Sequence, residues 1–542
     1  MHRRLTAVVR LALASSFVLA TALHAQTDAT RDSVARLAEA VRALREPGRT
    51  NGVPDFSSTA LAARTRDLEV LTQRHAAIDT RSWPVPDRVD HLVVGTQLAA
   101  LDFELRVSRP WARDPDHWVH LIAATPYLTA NAAAADHNRL VDQLREVPRI
   151  LAEARRRLTS PSGELAGMAI IHLEQSDGVN QGEPRRDPPP AGVIGWFAEL
   201  QTRAKRTDPE LVVDVDAALS ALRSFRDWLK AEQPSMKEPA FVGLAHYAWY
   251  VRHVRLIPLS VEEIRLIGAR ELERARTLLA IEQHRNRSLA ELAPVTTAAE
   301  HERRTRDAEA WIRTFTAREK LLTIPADIPA TYETDAFFID RSAWGGHRHF
   351  WEEITYRDPL NNHLHASIPG HRFDDALQRR NPRSVRRIAG DGTRAEGWAF
   401  YIEEMYLQAG LLIDRPRTRE LFYIAQLKRA ARIRAELAMQ TGAFTLQQAI
   451  DYLVREVPLM EENLARYDLG IYLRRPAFGM NYTIGKTQLE RLLADRQRQL
   501  GRAFDLGRFH DDFLSRGMIP ISLIRWEMTG LDDEMKSLGV IK

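Results

Sequence analysis

The chain has 542 residues, 44% of them hydrophobic, and a formal net charge of +4. This composition is too apolar for an intrinsically disordered protein and supports a large buried core. No cysteine is present, which excludes disulfides, thiol catalysis and thiolate metal ligands. Three arginines stand in the first 25 residues, so the remainder is nearly neutral, and the charge gives no support for nucleic-acid binding.

The N-terminal segment has the features of a targeting signal. A short basic start precedes an apolar run over residues 11–23, and Ala25 offers a small residue before a cleavage point. The apolar run is too short to span a bilayer. We therefore expect a cleavable signal peptide over residues 1–25 and no membrane span in the rest of the chain. The expected localisation is an exported, periplasmic or secreted protein without a lipobox cysteine.

From about residue 27 onward the dominant pattern is helical, with apolar residues at three- and four-residue spacing and little strand-like alternation. A capping side chain followed by proline predicts a helix start at Asp208. Capping boxes predict two further helix starts, at Ser260 and at Thr445. These patterns together predict an all-α protein with minimal β structure.

Residues 178–190 interrupt the helical pattern with a polar stretch rich in glycine and proline. The stretch reads either as a domain linker or as a long loop bordering a cleft. Because the sequence looks equally helical on both sides, we favour the loop. We expect residues 26–542 to form a single large helical domain, with this loop as the candidate point of subdivision.

The segment 361–404 carries the candidate chemistry, because His363, His365 and His371 fall within nine residues at its start. The usual helical zinc motif, His-Glu-x-x-His, places two histidines one turn apart and adds a glutamate as general base. Here Ala366 occupies the position of that glutamate. The second histidine of the candidate pair comes six residues after the first, which is about 240° away on an ideal helix.

Two interpretations of this spacing stay open. Pro369 and Gly370 allow a bend that would bring His365 and His371 together around a metal ion. Such a bend is feasible because proline removes a backbone hydrogen bond and glycine adopts unusual dihedral angles. Without the bend, both histidines are packed or surface residues.

Glu396 and Glu403 are seven residues apart in a stretch that is rich in large apolar residues. Seven residues bring two side chains nearly in line on a helix. A carboxylate that is buried on such a helix needs a partner. A metal ion and an arginine both satisfy that need, so the pattern leaves the choice between them open.

Together these residues resemble the bacterial family called domain of unknown function 885. Its members usually carry His-Glu-x-x-Pro-Gly-His-His and, downstream, Glu-Gly-Trp-Ala-x-Tyr-x-Glu. The chain keeps most positions of both motifs, and further family-like patterns follow near its C-terminal end. The matching residues are His365, Pro369, Gly370, His371, Glu396, Gly397, Trp398, Ala399, Tyr401, Glu403, Arg466, Tyr467, Pro476, Tyr482–Lys486, Phe504–Leu506, Phe509 and His510.

The resemblance implies a mostly helical, channel-bearing, zincin-like fold similar to the neurolysin and carboxypeptidase Taq type of zinc peptidase. It implies zinc as the cofactor, with His365, His371 and Glu396 as its ligands. It also implies Tyr482 as a hydrogen-bond donor to an oxyanion.

The chain departs from the family pattern at two positions. Ala366 replaces the motif glutamate, whose general acid–base help is worth about 10²–10⁴-fold in rate. Arg372 replaces the last histidine of the motif and adds a fixed positive charge that suits an anionic substrate. Other residues nearby are candidates for a replacement base: His363, Asp374, Asp375, Glu403 and Glu404.

We therefore expect a divergent zinc-metallopeptidase-like protein whose peptide hydrolysis is altered or lost. Its catalytic candidates are Tyr482 and Glu403, and its candidates for binding a peptide or small anionic substrate are Arg372 and His363. A second reading is a non-catalytic periplasmic binding protein for a peptide or an anionic ligand. A third is a metal-dependent enzyme of another reaction type.

Overall fold

The structure, a computed structural model, describes residues 31–123, 134–175, 192–332, 338 and 348–541. The expected signal peptide and the expected loop at 178–190 lie outside the described residues. Within them the chain is predominantly helical, which confirms the all-α prediction. None of the helices in these ranges has the length and apolar character needed to cross a membrane.

The first half of the chain consists of helices and one short hairpin. A first helix, α1, covers residues 31–45, and the strands β1 (Arg49–Thr50) and β2 (Val53–Pro54) pair antiparallel after it. The helices that follow are α2 (Ser58–Ala76), α3 (Val85–Phe103, continued by a π-helical turn, Glu104–Ser108), α4 (Pro110–Arg113), α5 (Pro115–Ala123), α6 (Ala134–Arg157), α7 (Gly163–Glu174), α8 (Gly192–Thr207), α9 (Val212–Glu232), α10 (Leu244–His253), α11 (Val261–Arg285) and α12 (Ala298–Glu319).

The second half of the chain is also a succession of helices, and it contains the motif segment. Its helices are α13 (Phe350–Thr355), α14 (Leu360–Ala366), α15 (His371–Arg379), α16 (Ser384–Ile388), α17 (Gly392–Gln408), α18 (Pro416–Gln440), α19 (Leu446–Glu456), α20 (Glu462–Arg474), α21 (Asn481–Leu500), α22 (Leu506–Ser515), α23 (Ile521–Thr529) and α24 (Asp533–Ser537). Buried apolar residues from both halves form a continuous core, and a smaller cluster lies between α10, α11, α18 and the start of α21.

The predicted helix starts are largely confirmed. Ser260 and Thr445 each open a helix through a complete capping box. At Asp208 the outcome differs, because its side chain makes no capping hydrogen bond and a 3-10 turn leads into α9. The Asp208 carboxylate instead lies 3.3 Å from Nδ1 of His137 on α6, so a contact between helices replaces the local cap.

Two helix pairs frame the motif segment, since α11 packs along α18 and α17 packs along α21. Glycine permits the close approach in both pairs. A Cβ atom added to Gly268 on α11 would lie 2.7 Å from Ile433 on α18. One added to Gly485 on α21 would lie 2.1 Å from the carbonyl oxygen of Thr393 on α17. Because only a hydrogen atom fits at these positions, the glycines set how closely the helices approach.

Candidate metal centre

The break between α14 and α15 places two histidines side by side. His365 stands one residue before the end of α14, and His371 is the first residue of α15. The turn between them contains the cis bond Ile368–Pro369. At Gly370 a Cβ atom would lie 1.8 Å from the carbonyl oxygen of His365, so only glycine fits. The bend that the sequence left open is therefore present, and it separates two helices.

Helix α17 holds this turn in place and supplies the third member of the cluster. The indole Nε1 of Trp398 donates a hydrogen bond of 2.8 Å to the carbonyl oxygen of Pro369. Arg394 on the same helix forms a buried ion pair with Asp374 on α15. These two contacts clamp the turn and α15 against α17, where Glu396 lies two residues before Trp398.

The side chains of His365, His371 and Glu396 converge. Nε2 of His365 lies 3.4 Å from Oε2 of Glu396, and Nε2 of His371 lies 3.2 Å from the same oxygen. The two imidazole rings are perpendicular, with centroids 4.8 Å apart. The side chains are 12%, 30% and 15% exposed, respectively. The cluster is therefore mostly buried, and His371 is its most exposed member.

This donor set fits a zinc ion. Tetrahedral zinc with ligand bonds of about 2.0–2.2 Å requires about 3.4 Å between neighbouring donor atoms. The two nitrogen–oxygen separations, 3.4 Å and 3.2 Å, agree with that requirement, and all three donor atoms lie within 4.8 Å of one another. Two imidazole nitrogens and one carboxylate oxygen are also a donor set that catalytic zinc sites use, with the fourth position left to water or substrate.

The charges within the cluster support one another. Burial raises the pKa of the Glu396 carboxyl, but hydrogen bonds from His365 and His371 outweigh burial and hold that pKa well below its usual range. Burial lowers the pKa of His371, yet the contact with Glu396 and the charges of Asp374 and Asp375 together raise this pKa above its usual value. The cluster therefore presents a carboxylate to any ion that it binds.

A second acid, Glu403, approaches the other side of the His365 ring. Its Oε1 lies 2.7 Å from Nδ1 of His365, and both are contacted by Nη2 of Arg429 on α18, at 2.7 Å and 3.2 Å. Nε2, on the opposite side of the ring, faces Glu396 and is the candidate ligand atom. Glu403 and Arg429 thus contact the Nδ1 side of the His365 ring and are placed to orient it.

Arg429 was missed by the sequence reasoning. Its side chain is 1% exposed, although it belongs to a stretch of α18 in which cations recur at positions 428, 429 and 432. The sequence did contain a sign that these cations are buried, because they interrupt a helix whose other residues are largely apolar or small. Buried cations need buried acids, and Glu403 and Asp468 are their partners.

Tyr482 lies on α21 beside the cluster. Its ring is nearly parallel to that of His365, with centroids 6.2 Å apart, and the guanidinium of Arg432 lies 4.5 Å from its centroid. Burial and the charge of Glu396 raise the pKa of the Tyr482 hydroxyl. The hydroxyl therefore keeps its proton at neutral pH, as a hydrogen-bond donor must.

The structure separates the two predicted substrate-binding residues from the cluster in different ways. His363 is 1% exposed, and its Nε2 lies 3.2 Å from Oε2 of Glu309 on α12. Because it precedes His365 by two helical residues, it faces about 160° away. Arg372 donates a 2.7 Å hydrogen bond to Ser367 Oγ and lines a neighbouring cavity of about 250 Å³. The geometry thus supports a substrate contact for Arg372 only.

The candidate replacement bases are mostly engaged elsewhere. Asp374 pairs with Arg394, and Glu403 pairs with Arg429. Glu404 contacts Arg274 and Lys486, which lower its pKa to about 2 although burial acts in the opposite direction. Asp375 lines the cavity beside Arg372, and burial followed by the charge of Asp374 raises its pKa. Three of these four acids are thus engaged in ion pairs, and Asp375 is the one that lines a cavity.

The fold and the cluster define a helical protein with a two-histidine, one-carboxylate centre suited to a metal ion. The chain belongs to the family described as bacterial protein of unknown function (DUF885), whose model matches residues 22–334 and 355–528. The family resemblance found in the sequence is thereby confirmed. No curated protein matches the sequence.

Two solved structures share the fold. One is described as a "putative lipoprotein of unknown function" from Shewanella oneidensis, and its match covers 92% of this chain and 98% of that one. The other is described as "the putative lipoprotein" from Colwellia psychrerythraea, and its match covers 95% of this chain and 100% of that one. Both have a TM-score of 0.68 and 16% sequence identity. At this identity the likeness shows the fold alone.

The predicted localisation is contradicted by these structures. The sequence led us to expect an exported, periplasmic or secreted protein without a lipid anchor, whereas both structural relatives are described as lipoproteins. The prediction rested on a cleavable signal peptide and on the lack of a cysteine to carry a lipid, and the chain indeed contains no cysteine. That lack does not determine localisation, and the prediction is withdrawn.

Proposed function

We propose that this protein is a metal-dependent hydrolase of the metallopeptidase-like kind, with zinc held by His365, His371 and Glu396. The observation that carries the proposal is the convergence of two imidazole nitrogens on one carboxylate oxygen, at 3.4 Å and 3.2 Å. A buried carboxylate next to two histidines is costly to maintain unless it is paired. A cation bound among them would complete the pairing.

Zinc at such a centre supplies Lewis-acid activation of water and of carbonyl groups. The residues of the chain contribute the surroundings of that chemistry. Glu403 and Arg429 orient His365, and Tyr482 offers a hydroxyl donor next to it. Arg372 stands beside the cavity of about 250 Å³ and suits a carboxylate or another anionic group of a peptide substrate. We also propose that the fold is a channel-bearing, zinc-peptidase-like architecture.

The same geometry supports weak peptide hydrolysis. Ala366 supplies no proton acceptor, and Asp374, Glu403 and Glu404 are held in ion pairs. Without a positioned base, the transfer of a proton to the leaving amine loses about 10²–10⁴-fold in rate. These ion pairs also favour a second candidate function, a protein that binds a peptide or anionic ligand without hydrolysing it.

The first test is the metal content of the purified protein and of its His365→Ala variant. We expect the variant to bind one zinc ion fewer per chain than the wild type, because it loses a ligand of a three-ligand site. His246→Ala is the matched control, since His246 is an exposed histidine outside the cluster. Equal zinc content in the wild type and in His365→Ala would refute the proposal.

A further inference from the structure

A second group of potential metal ligands lies in the N-terminal half of the chain. Asp116 and His120 stand on α5, and His172 stands on α7. One ligand atom from each lies within 4.8 Å of the other two. Nδ1 of His172 is 2.7 Å from Oδ1 of Asp116, and Nδ1 of His120 is 3.4 Å from Oδ2. The imidazole centroids are 4.9 Å apart.

We propose that Asp116, His120 and His172 form a second zinc site, distinct from the cluster around Glu396. Two imidazoles and a carboxylate are a donor set typical of zinc and neighbouring transition metals, whereas calcium and magnesium prefer oxygen donors. The three donor atoms lie within 4.8 Å of one another, so side-chain shifts of about an ångström bring them to the separations of about 3.4 Å that tetrahedral zinc requires.

The Asp116 carboxylate of this site is also held by residues that are not candidate ligands. Asp116 is 4% exposed, and its Oδ2 lies 2.8 Å from Nη2 of Arg474, the last residue of α20. Nε of the same arginine lies 2.7 Å from Oδ2 of Asp114, and Oδ1 of Asp114 accepts a 3.0 Å hydrogen bond from the backbone N–H of Asp116. Outer partners of this kind orient the ligands of metal sites.

The local charge favours a cation. Asp114 and Asp116 carry two negative charges, and Arg474 neutralises one of them. The remaining negative charge is buried, and a metal ion bound between His120 and His172 would neutralise it. A metal ion satisfies both histidines at once, whereas one proton satisfies a single ring.

The site is accessible from solvent through His120, whose side chain is 59% exposed. Its Nδ1 also lies 2.8 Å from the backbone oxygen of Asp116, so the ring must turn slightly to bind an ion, and its exposure leaves room for that. Because the ligands come from α5 and α7 and their support comes from α20, a bound ion would join the N-terminal helices to the second half of the chain. We therefore infer a structural role for it.

The test measures zinc bound per chain in four proteins: the wild type, His365→Ala, His120→Ala and the double variant. Zinc is the first probe. Cobalt(II), whose absorption spectrum reports tetrahedral coordination, is the second probe. We expect two equivalents in the wild type, one in each single variant and none in the double variant. His172→Gln should behave as His120→Ala does, and His246→Ala should behave as the wild type does.

The four proteins separate this inference from the proposed function. If His120→Ala binds as much zinc as the wild type, the second site does not exist, whatever His365→Ala shows. If His120→Ala loses one equivalent and His365→Ala loses none, the second site stands and the proposed catalytic centre falls. Thermal unfolding gives an independent readout, because zinc should stabilise the His365→Ala protein and not the double variant. Stabilisation of both to the same extent would overturn the inference.

Discussion

At position 366, the last residue of α14, the side chain is a methyl group. A carboxylate there would directly follow the ligand candidate His365, as in the family motif. We predict that Ala366→Glu, loaded with zinc, hydrolyses peptides about 10²–10⁴-fold faster than the wild type, because it restores general acid–base help. The measurement is the initial rate on a mixture of fluorogenic peptides.

The matched control is Ala366→Gln, which adds the same volume without a base and should give no gain. If Ala366→Glu binds zinc and stays inactive, the proposal that the missing glutamate limits peptide hydrolysis is wrong. The binding protein of the second candidate function predicts that outcome.

Glu403 and Glu404 are adjacent buried acids with different partners. Glu403 contacts His365 and Arg429, whereas Glu404 contacts Arg274 and Lys486. We predict that Glu403→Gln weakens zinc binding by about 10–100-fold, the usual effect of losing a carboxylate that orients a metal-bound histidine. A competition titration against a chelator measures this affinity.

Glu404→Gln provides the control for this prediction, because it also removes a buried acid from α17 but touches no candidate ligand. Its zinc affinity should equal that of the wild type. Equal losses in both variants would show that the effect comes from general destabilisation of the helix.

At the scale of elements, the contact between α17 and α21 determines how Tyr482 stands relative to the cluster. We predict that Gly485→Ala destabilises the protein by about 1–3 kcal/mol and weakens zinc binding, because the added methyl group forces the two helices apart. A Cβ there would lie 2.1 Å from the carbonyl oxygen of Thr393 and 2.7 Å from Cα of Gly397. Urea unfolding and the chelator titration give the two quantities.

Gly390→Ala is the control, since an added Cβ at this exposed position would meet no atom within 4 Å. Its stability and zinc affinity should match those of the wild type. An unchanged Gly485→Ala protein would mean that the glycine contact is not needed for the spacing of the helices.

At the scale of the whole molecule, buried histidines make stability depend on pH. Burial lowers the pKa of His91, His117 and His510 from 6.5 to about 4 in each case. Between these pH values the unfolded chain binds more protons than the folded one, so stability is present above pH 6.5 and is lost as the pH falls toward 4. We predict that the metal-free protein shows this loss in its thermal unfolding midpoint.

His91→Gln should reduce the dependence of the unfolding midpoint on pH. The glutamine amide can still contact the backbone oxygen of His75, and it adds no titrating group. His246→Gln, at an exposed position, should leave the pH dependence of the unfolding midpoint unchanged. A midpoint that does not vary between pH 6.5 and 4 would contradict the assignment of buried neutral histidines.

The class of fold followed from the sequence because helices are encoded in local periodicity and local caps, as at Ser260 and Thr445. The family followed from linear motifs. That Glu396 and Glu403 share a helix face was also readable, because seven residues make nearly two turns, and the structure places both acids against His365.

Tertiary structure decided the rest. The sequence could not show that the chain breaks between His365 and His371, that Arg429 reaches the cluster from α18, or that His363 pairs with Glu309. Each of these contacts joins residues that lie on different helices, and local periodicity describes only neighbours on one helix. Which distant side chains meet is determined by how the helices pack, here through glycine contacts and buried ion pairs that no single stretch of sequence displays.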